Sequence, residues 1–132
     1  MGIKKPLVLN AGVLGEMASG DALQLAVLPR TTSVADTATG AVSVDTTDVY
    51  RITALAQACT FAAPTGTPVD SQLLEYCLAD NGTARALAWN VIFASAGATL
   101  PTTTVAGKAM RLMMQYDSAS AKWDCIGLAQ EP

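Results

Sequence analysis

The sequence predicts an all-β protein: an antiparallel β-sandwich or jelly-roll-like domain over residues 31–132, preceded by an extended N-terminal arm over residues 1–30. Three observations carry this. From Asp48 onward, apolar and polar side chains alternate in short runs, the period of strands with one buried side. Pro, Gly and Asn-Gly signals punctuate those runs at regular spacing. No segment carries a strong helical signature with its caps.

The arm "PLVLNAGVLGEMASGDALQLAV" mixes short apolar runs with Gly12, Gly15 and Gly20 and holds neither period for long. It is too apolar to float free in water, so Leu7, Val8, Leu9, Val13, Leu14, Met17, Leu23, Leu25 and Val27 are candidate assembly-interface residues. Pro29 ends the arm. "RTTSVADTATGAVSVD" reads as a connector, with a short strand around Ala41 to Val44.

"DVYRITALA" alternates, Tyr50, Ile52 and Ala54 on one face and Val49, Arg51, Thr53 and Leu55 on the other. "CTFAAP" is a second short strand stopped by Pro64. In "SQLLEYCLA", Leu73, Glu75 and Cys77 oppose Leu74, Tyr76 and Leu78, although Leu, Glu and Gln also favour a helix. The Asp80-Asn81-Gly82 step decides for a strand. Asn-Gly supplies the two positive-φ positions of a type I′ turn, which makes "ALAWNVIFA" the second arm of a hairpin.

The last two strands are "GKAMRLMMQYD" and "KWDCIGLAQ", joined across a polar loop from Asp117 to Ala121. Met110, Leu112, Met114 and Tyr116 share one face, and Trp123, Cys125 and Gly127 alternate with Asp124, Ile126 and Leu128. Alternation sends the methionines to both faces of one strand, so Met113 joins the candidate interface residues, Met being suited to irregular gaps between subunits. A sheet apolar on both faces needs a cover on each.

Composition points the same way. Hydrophobic residues make up 51% of the 132 and charged ones 14%, where about 25% charged is usual. Few ionic groups hold neighbours apart, which points to permanent association. The net charge of −3 and scattered Lys and Arg, of which only Lys4 and Lys5 are adjacent, argue against a nucleic-acid groove. Two uncharged stretches, Ile52 to Val69 and Ala86 to Gly107, are broken by Pro and Gly and read as strand plus loop, so no membrane span is expected. The start carries no convincing secretory cleavage site, and Pro6 stands where myristoylation wants Ser or Thr.

The chain has no histidine, which removes Ser-His-Asp and Cys-His triads and the commonest metal ligand. Cys59, Cys77 and Cys125 are odd in number and widely spaced, fitting free thiols better than a disulfide framework or zinc site, with one bridge between two of them left open. The acid pairs Asp45 with Asp48 and Asp117 with Asp124 sit at turns, where Asp caps backbone. Trp89, Trp123 and Tyr50 are the aromatics available to stack on a sugar, and filling the core is their commoner use. No cofactor, metal or catalytic residue is expected.

The run "TTDVYRITALAQACTFAAPTGTPVDSQLLEYCLADNGTARALAWN", continuing through "TLPTTTVAGKAMRLMMQYDSASAKWDCIGLAQE", resembles an antiparallel β module of tailed-bacteriophage virion proteins over about Asp45 to Glu131. Its most telling parts are "DNGTARALAWN", "LPTTTVAGK" and "YDSASAKWDCIGLAQ". "PLVLNAGVLGEMASGDAL" looks like the leading segment of phage tail-fibre and head-fibre proteins. The resemblance implies a non-enzymatic virion component, a homotrimer assembled in the bacterial host cytoplasm, whose partners are its own copies and the major capsid or other virion proteins. Within it, two expectations compete: a capsid decoration (cement) or head-fibre protein on the outer head surface, and a tail-fibre or receptor-binding module for host glycans.

Overall fold

The computed structural model describes residues 28–132 in full, together with the backbone of Leu7–Asn10 and Val13–Glu16. Strands β1 (Leu7–Asn10) and β2 (Val13–Glu16) pair antiparallel as a two-stranded sheet inside the segment expected to be an arm. The remaining strands are β3 (Thr31–Val34), β4 (Thr39–Gly40), β5 (Val49–Leu55), β6 (Cys59–Phe61), β7 (Leu73–Asp80), β8 (Leu87–Trp89), β9 (Phe93–Ser95), β10 (Ala109–Asp117) and β11 (Lys122–Gln130). The described residues are all-β with no helix.

A six-stranded sheet runs in the order β3-β5-β7-β10-β11-β9, and a three-stranded sheet runs β4-β6-β8. Within these two sheets the expected antiparallel pairing holds only for β7-β10 and β10-β11. The pairs β3-β5, β5-β7, β9-β11, β4-β6 and β6-β8 are parallel. Chain routing is the reason. From β3 to β9 the chain changes sheet at every strand, so each return to a sheet is a crossover, and a crossover delivers the next strand parallel. Here a strand of the opposite sheet fills the place that a helix takes in the usual crossover.

That routing corrects the hairpin expected at Asp80-Asn81-Gly82. β7 ends at Asp80, but the following strand, β8, lies in the three-stranded sheet beside β6, while β7 itself is flanked by β5 and β10. Gly82 has φ 95°, whereas Asn81 is not in the positive-φ region that a type I′ turn requires at both positions. "ALAWNVIFA" accordingly forms two short strands in different sheets, bent at Asn90 where the Asn90 Oδ1 accepts from Ile92 N at 3.0 Å. Likewise the strand expected at Ala41 to Val44 is replaced by β4 at Thr39–Gly40, and Thr31–Val34, read as connector, is the edge strand β3.

One hydrophobic cluster joins the two sheets. Ile52, Leu74, Tyr76, Leu78, Leu112, Met114, Trp123 and Cys125 enter it from the large sheet, and Cys59, Phe61 and Leu87 from the small one. Tyr76 sits at its centre, edge-on to Phe61 (ring centroids 5.2 Å apart) and to Trp89 and Phe93. The inward set of β7 and β10 follows the expected alternation. In β5 it breaks: a bulge between Ile52 and Leu55 turns Ala54 out and Leu55 in, because three residues of β5 span two of β7 there. A second irregularity sets Met113 opposite Gly127 and Met114 opposite Cys125, leaving Ile126 unpaired and 43% exposed.

Candidate functional site

Of the expected interface residues, Leu7, Val8 and Leu9 lie on β1 and Val13 and Leu14 on β2. Met17, Leu23, Leu25 and Val27 fall outside the described residues. Met113 is placed on β10, half-buried, on the face of the large sheet that points away from the core cluster. Alternation there did what the sequence required, putting Leu112 and Met114 inside and Met113 outside.

That outer face is built from aligned rows. Register sets Arg51, Cys77, Arg111 and Ala129 side by side across β5, β7, β10 and β11, and Val49, Glu75, Met113 and Gly127 in the row beside it. Ala79 and Ala109 pair in the next row. Arg111 Nη1 and Glu75 Oε1 form an ion pair at 2.9 Å, and the Cys77 thiol donates to the same Glu75 oxygen at 3.2 Å. Val49 and Cys77 are buried yet stand apart from the core cluster. A recess of about 170 Å³ opens between Arg51 and Arg111, floored by Cys77, Ala79 and Ala109.

Chemically the face is quiet. Burial and the bond to Glu75 push the Cys77 thiol up from its ordinary value, so it is protonated at neutral pH and a poor nucleophile. Cys59 and Cys125 are also free, buried and shifted upward by that burial. Glu75 is committed to Arg111, and among the described residues Arg51 has no acid partner. No group of three His, Cys, Asp or Glu that could hold a metal ion occurs among them either.

The other polar clusters hold loops. Asp48 takes a fork from Arg30, Nη2 to Oδ1 at 2.7 Å and Nε to Oδ2 at 2.9 Å, and also accepts from Arg30 N at 2.8 Å; this holds its carboxyl down at about 2. Asp45 accepts from Thr67 N, and Asp117 accepts from Ala119 N and Ser120 Oγ within its own turn. Neither acid pair shares a proton or faces a cleft. The carboxylate of Asp80, 8% exposed, accepts from Gly82 N, Gly107 N and Thr104 Oγ1 at 2.9, 2.8 and 2.6 Å.

The aromatics named for sugar stacking are interior groups. Trp123 and Tyr50 are 1% and 3% exposed. Trp89 is half-buried, its ring stacked on Phe61 at 4.1 Å and its Nε1 donating to Pro101 O at 2.7 Å. The residues that sequence reasoning passed over are Arg51, Glu75, Cys77, Arg111, Gly127 and Ala129. For Arg51, Glu75, Cys77 and Arg111 the signal was present as the outward half of the same alternation, whereas Gly127 and Ala129 reach this face only through the irregularity at Ile126; strand order alone shows that the six meet. No family model, curated protein or solved structure matches this chain.

Proposed function

We propose that this chain is a bacteriophage virion structural protein, a capsid decoration or head-fibre component that sits on the outer head surface as a homotrimer. In this reading the two sheets form a β-sandwich, and residues 1–30 attach it to the major capsid protein or another virion protein. The work is passive: apolar leader and subunit surface, taken out of water, clamp neighbouring shell proteins together. No reacting group takes part.

The observation that carries the reading is the outer sheet face, broad, shallow and rich in small residues, where a soluble monomer would present charged ones. The likeness of "DNGTARALAWN", "LPTTTVAGK" and "YDSASAKWDCIGLAQ" to phage virion modules supplies the setting. The competing tail-fibre reading needs exposed aromatics over a polar groove, and its three candidates lie in or against the core.

Cryo-electron microscopy of the parent particle tests the placement. Density for this chain is expected over the capsid lattice. Density confined to the tail, with host-specific glycan binding by the purified chain, would transfer the assignment to the competing reading.

A further inference from the structure

We infer that the outer face of the six-stranded sheet is the surface this chain buries against copies of itself, with the β5 half of one copy meeting the β11 half of the next. Closure of that contact around a three-fold axis rests on the trimer reading above; the choice of face rests on its own geometry.

The first argument is chemical character. A sheet face meant for water carries polar side chains at alternate positions. From the Val49 row to the Ala79 row this one carries Val49, Cys77, Ala79, Ala109, Met113 and Ala129, interrupted by Arg51, Glu75 and Arg111, while Gln115, Asp117, Lys122 and Asp124 line its end at the β10-β11 loop.

The second argument selects the partner. On this face Arg51, Arg111 and Lys122 stand against Glu75, Asp117, Asp124 and Glu131, the last of which follows β11 and takes Ala109 N on its Oε2 at 2.9 Å. A nearly balanced face repels an identical one little, and it offers a polyanion such as nucleic acid nothing to neutralise. The two signs are also unevenly placed. Arg51, without an acid partner among the described residues, stands on β5, whereas Glu131 stands at the β11 side, two positions beyond Ala129 of the Arg51 row. Setting β5 on β5 would face two guanidinium groups; setting β5 on β11 pairs Arg51 with Glu131. That head-to-tail contact is the kind that closes into a ring. Gly127 and Ala129 keep the β11 half low enough to receive the neighbour, and Met113 lies mid-face, where an adaptable side chain fills the seam.

The experiment is light scattering and sedimentation on the full chain, with circular dichroism to establish that each variant is folded. The wild type is expected to be trimeric at micromolar concentration. Arg51→Glu and Glu131→Arg should each raise the dissociation constant about tenfold or more, through like charges brought together, and the double swap should restore it to within about threefold. Met113→Glu should give a folded monomer, and Thr60→Glu, at the exposed position of β6 in the other sheet, should leave the trimer intact. A trimeric wild type whose single variants and Met113→Glu all assemble normally would overturn the face and leave self-assembly standing, as would loss of assembly in Thr60→Glu. A swap that fails to restore association would overturn the Arg51 to Glu131 pairing. A monomeric wild type would remove the trimer reading itself.

Discussion

Asp80 does at the residue scale what no strand does: it ties the turn after β7 to the loop before β10. Its two oxygens take the N–H groups of Gly82 and Gly107 and the Thr104 hydroxyl, and Thr104 Oγ1 in turn accepts from Arg85 N at 2.8 Å. Burial by itself would push the Asp80 carboxyl up, but the Thr104 hydroxyl and the two backbone donors outweigh it and hold it below its ordinary value. The stretches "DNGTARALAWN" and "LPTTTVAGK" are therefore two sides of one buried cluster. Asp80→Ala leaves three donors facing an empty site and should cost about 3 kcal/mol, a fall in Tm of roughly 15 °C. Asp80→Asn, whose amide oxygen still accepts from both glycines, should cost less than half as much. Thermal unfolding of the two variants measures the difference, and equal, small losses would show that the cluster contributes little. Gly40 illustrates a second residue-scale constraint: a Cβ there would lie 2.4 Å from Phe61 Cδ1, within the ring stacked on Trp89.

Among the elements, the β10-β11 hairpin follows most directly from its residues. Asp117 pairs with Lys122 and the loop between them is closed by Asp117 itself, accepting from Ala119 N and Ser120 Oγ. The loop ends with Ala121 at φ 54°, a left-handed conformation that costs an Ala side chain about 1 kcal/mol. Ala121→Gly should thus raise stability by roughly 0.5 kcal/mol, the relief exceeding the extra chain entropy of glycine. A urea titration reads this as a higher midpoint at unchanged slope, and a lower midpoint would show that the strain is absent. Alternation made β7 and β10 legible, with their inward faces, because long strands repeat the period often enough to be seen; β11 was legible as a strand, but the irregularity at Ile126 puts Gly127, expected beside Trp123 and Cys125, on the opposite face with Met113. Alternation could not show β4 or β8, where two or three residues complete one period at most. Nor could it show parallel pairing, since a strand's own alternation is the same whichever way its neighbour runs. The bulge at Ala54 and Leu55 escaped for a related reason: one inserted residue reverses the faces with no local signal. The outer face shared these limits. Arg51, Glu75, Cys77 and Arg111 were visible on their strands, and their meeting was not.

At the scale of the whole molecule, composition sets how stability responds to pH. With no histidine, no side chain titrates at its ordinary value between about pH 5 and 8. Below that window the aspartates act together. Asp48 is held down at about 2 by its hydrogen bonds to Arg30, and Asp36, Asp70 and Asp117 are lowered chiefly by backbone and side-chain donors, from Ala56, Ser118 and Ser120 respectively. A lowered folded value means that the unfolded chain takes up protons first, so this stability is complete above about pH 4 and is lost as pH falls toward 2. For Asp48, which keeps 32% of its side chain in water, linkage gives up to about 2 kcal/mol and screening reduces that to nearer 1. Above the window the sign reverses. Cys59, Cys77 and Cys125 are raised by burial, as is Tyr50, so the folded chain holds protons that the unfolded chain gives up from about pH 8.5. Their contribution is present below that pH and drains away as pH rises. Tm measured from pH 2 to 10 should therefore show a flat top from about 5 to 8 with a loss on either side. In Asp48→Asn the Tm deficit against wild type should be largest on the plateau and shrink between pH 4 and 2. A Tm maximum near the pI of 4.6, or a deficit that does not change with pH, would mean that net charge rather than these individual hydrogen bonds governs the fold.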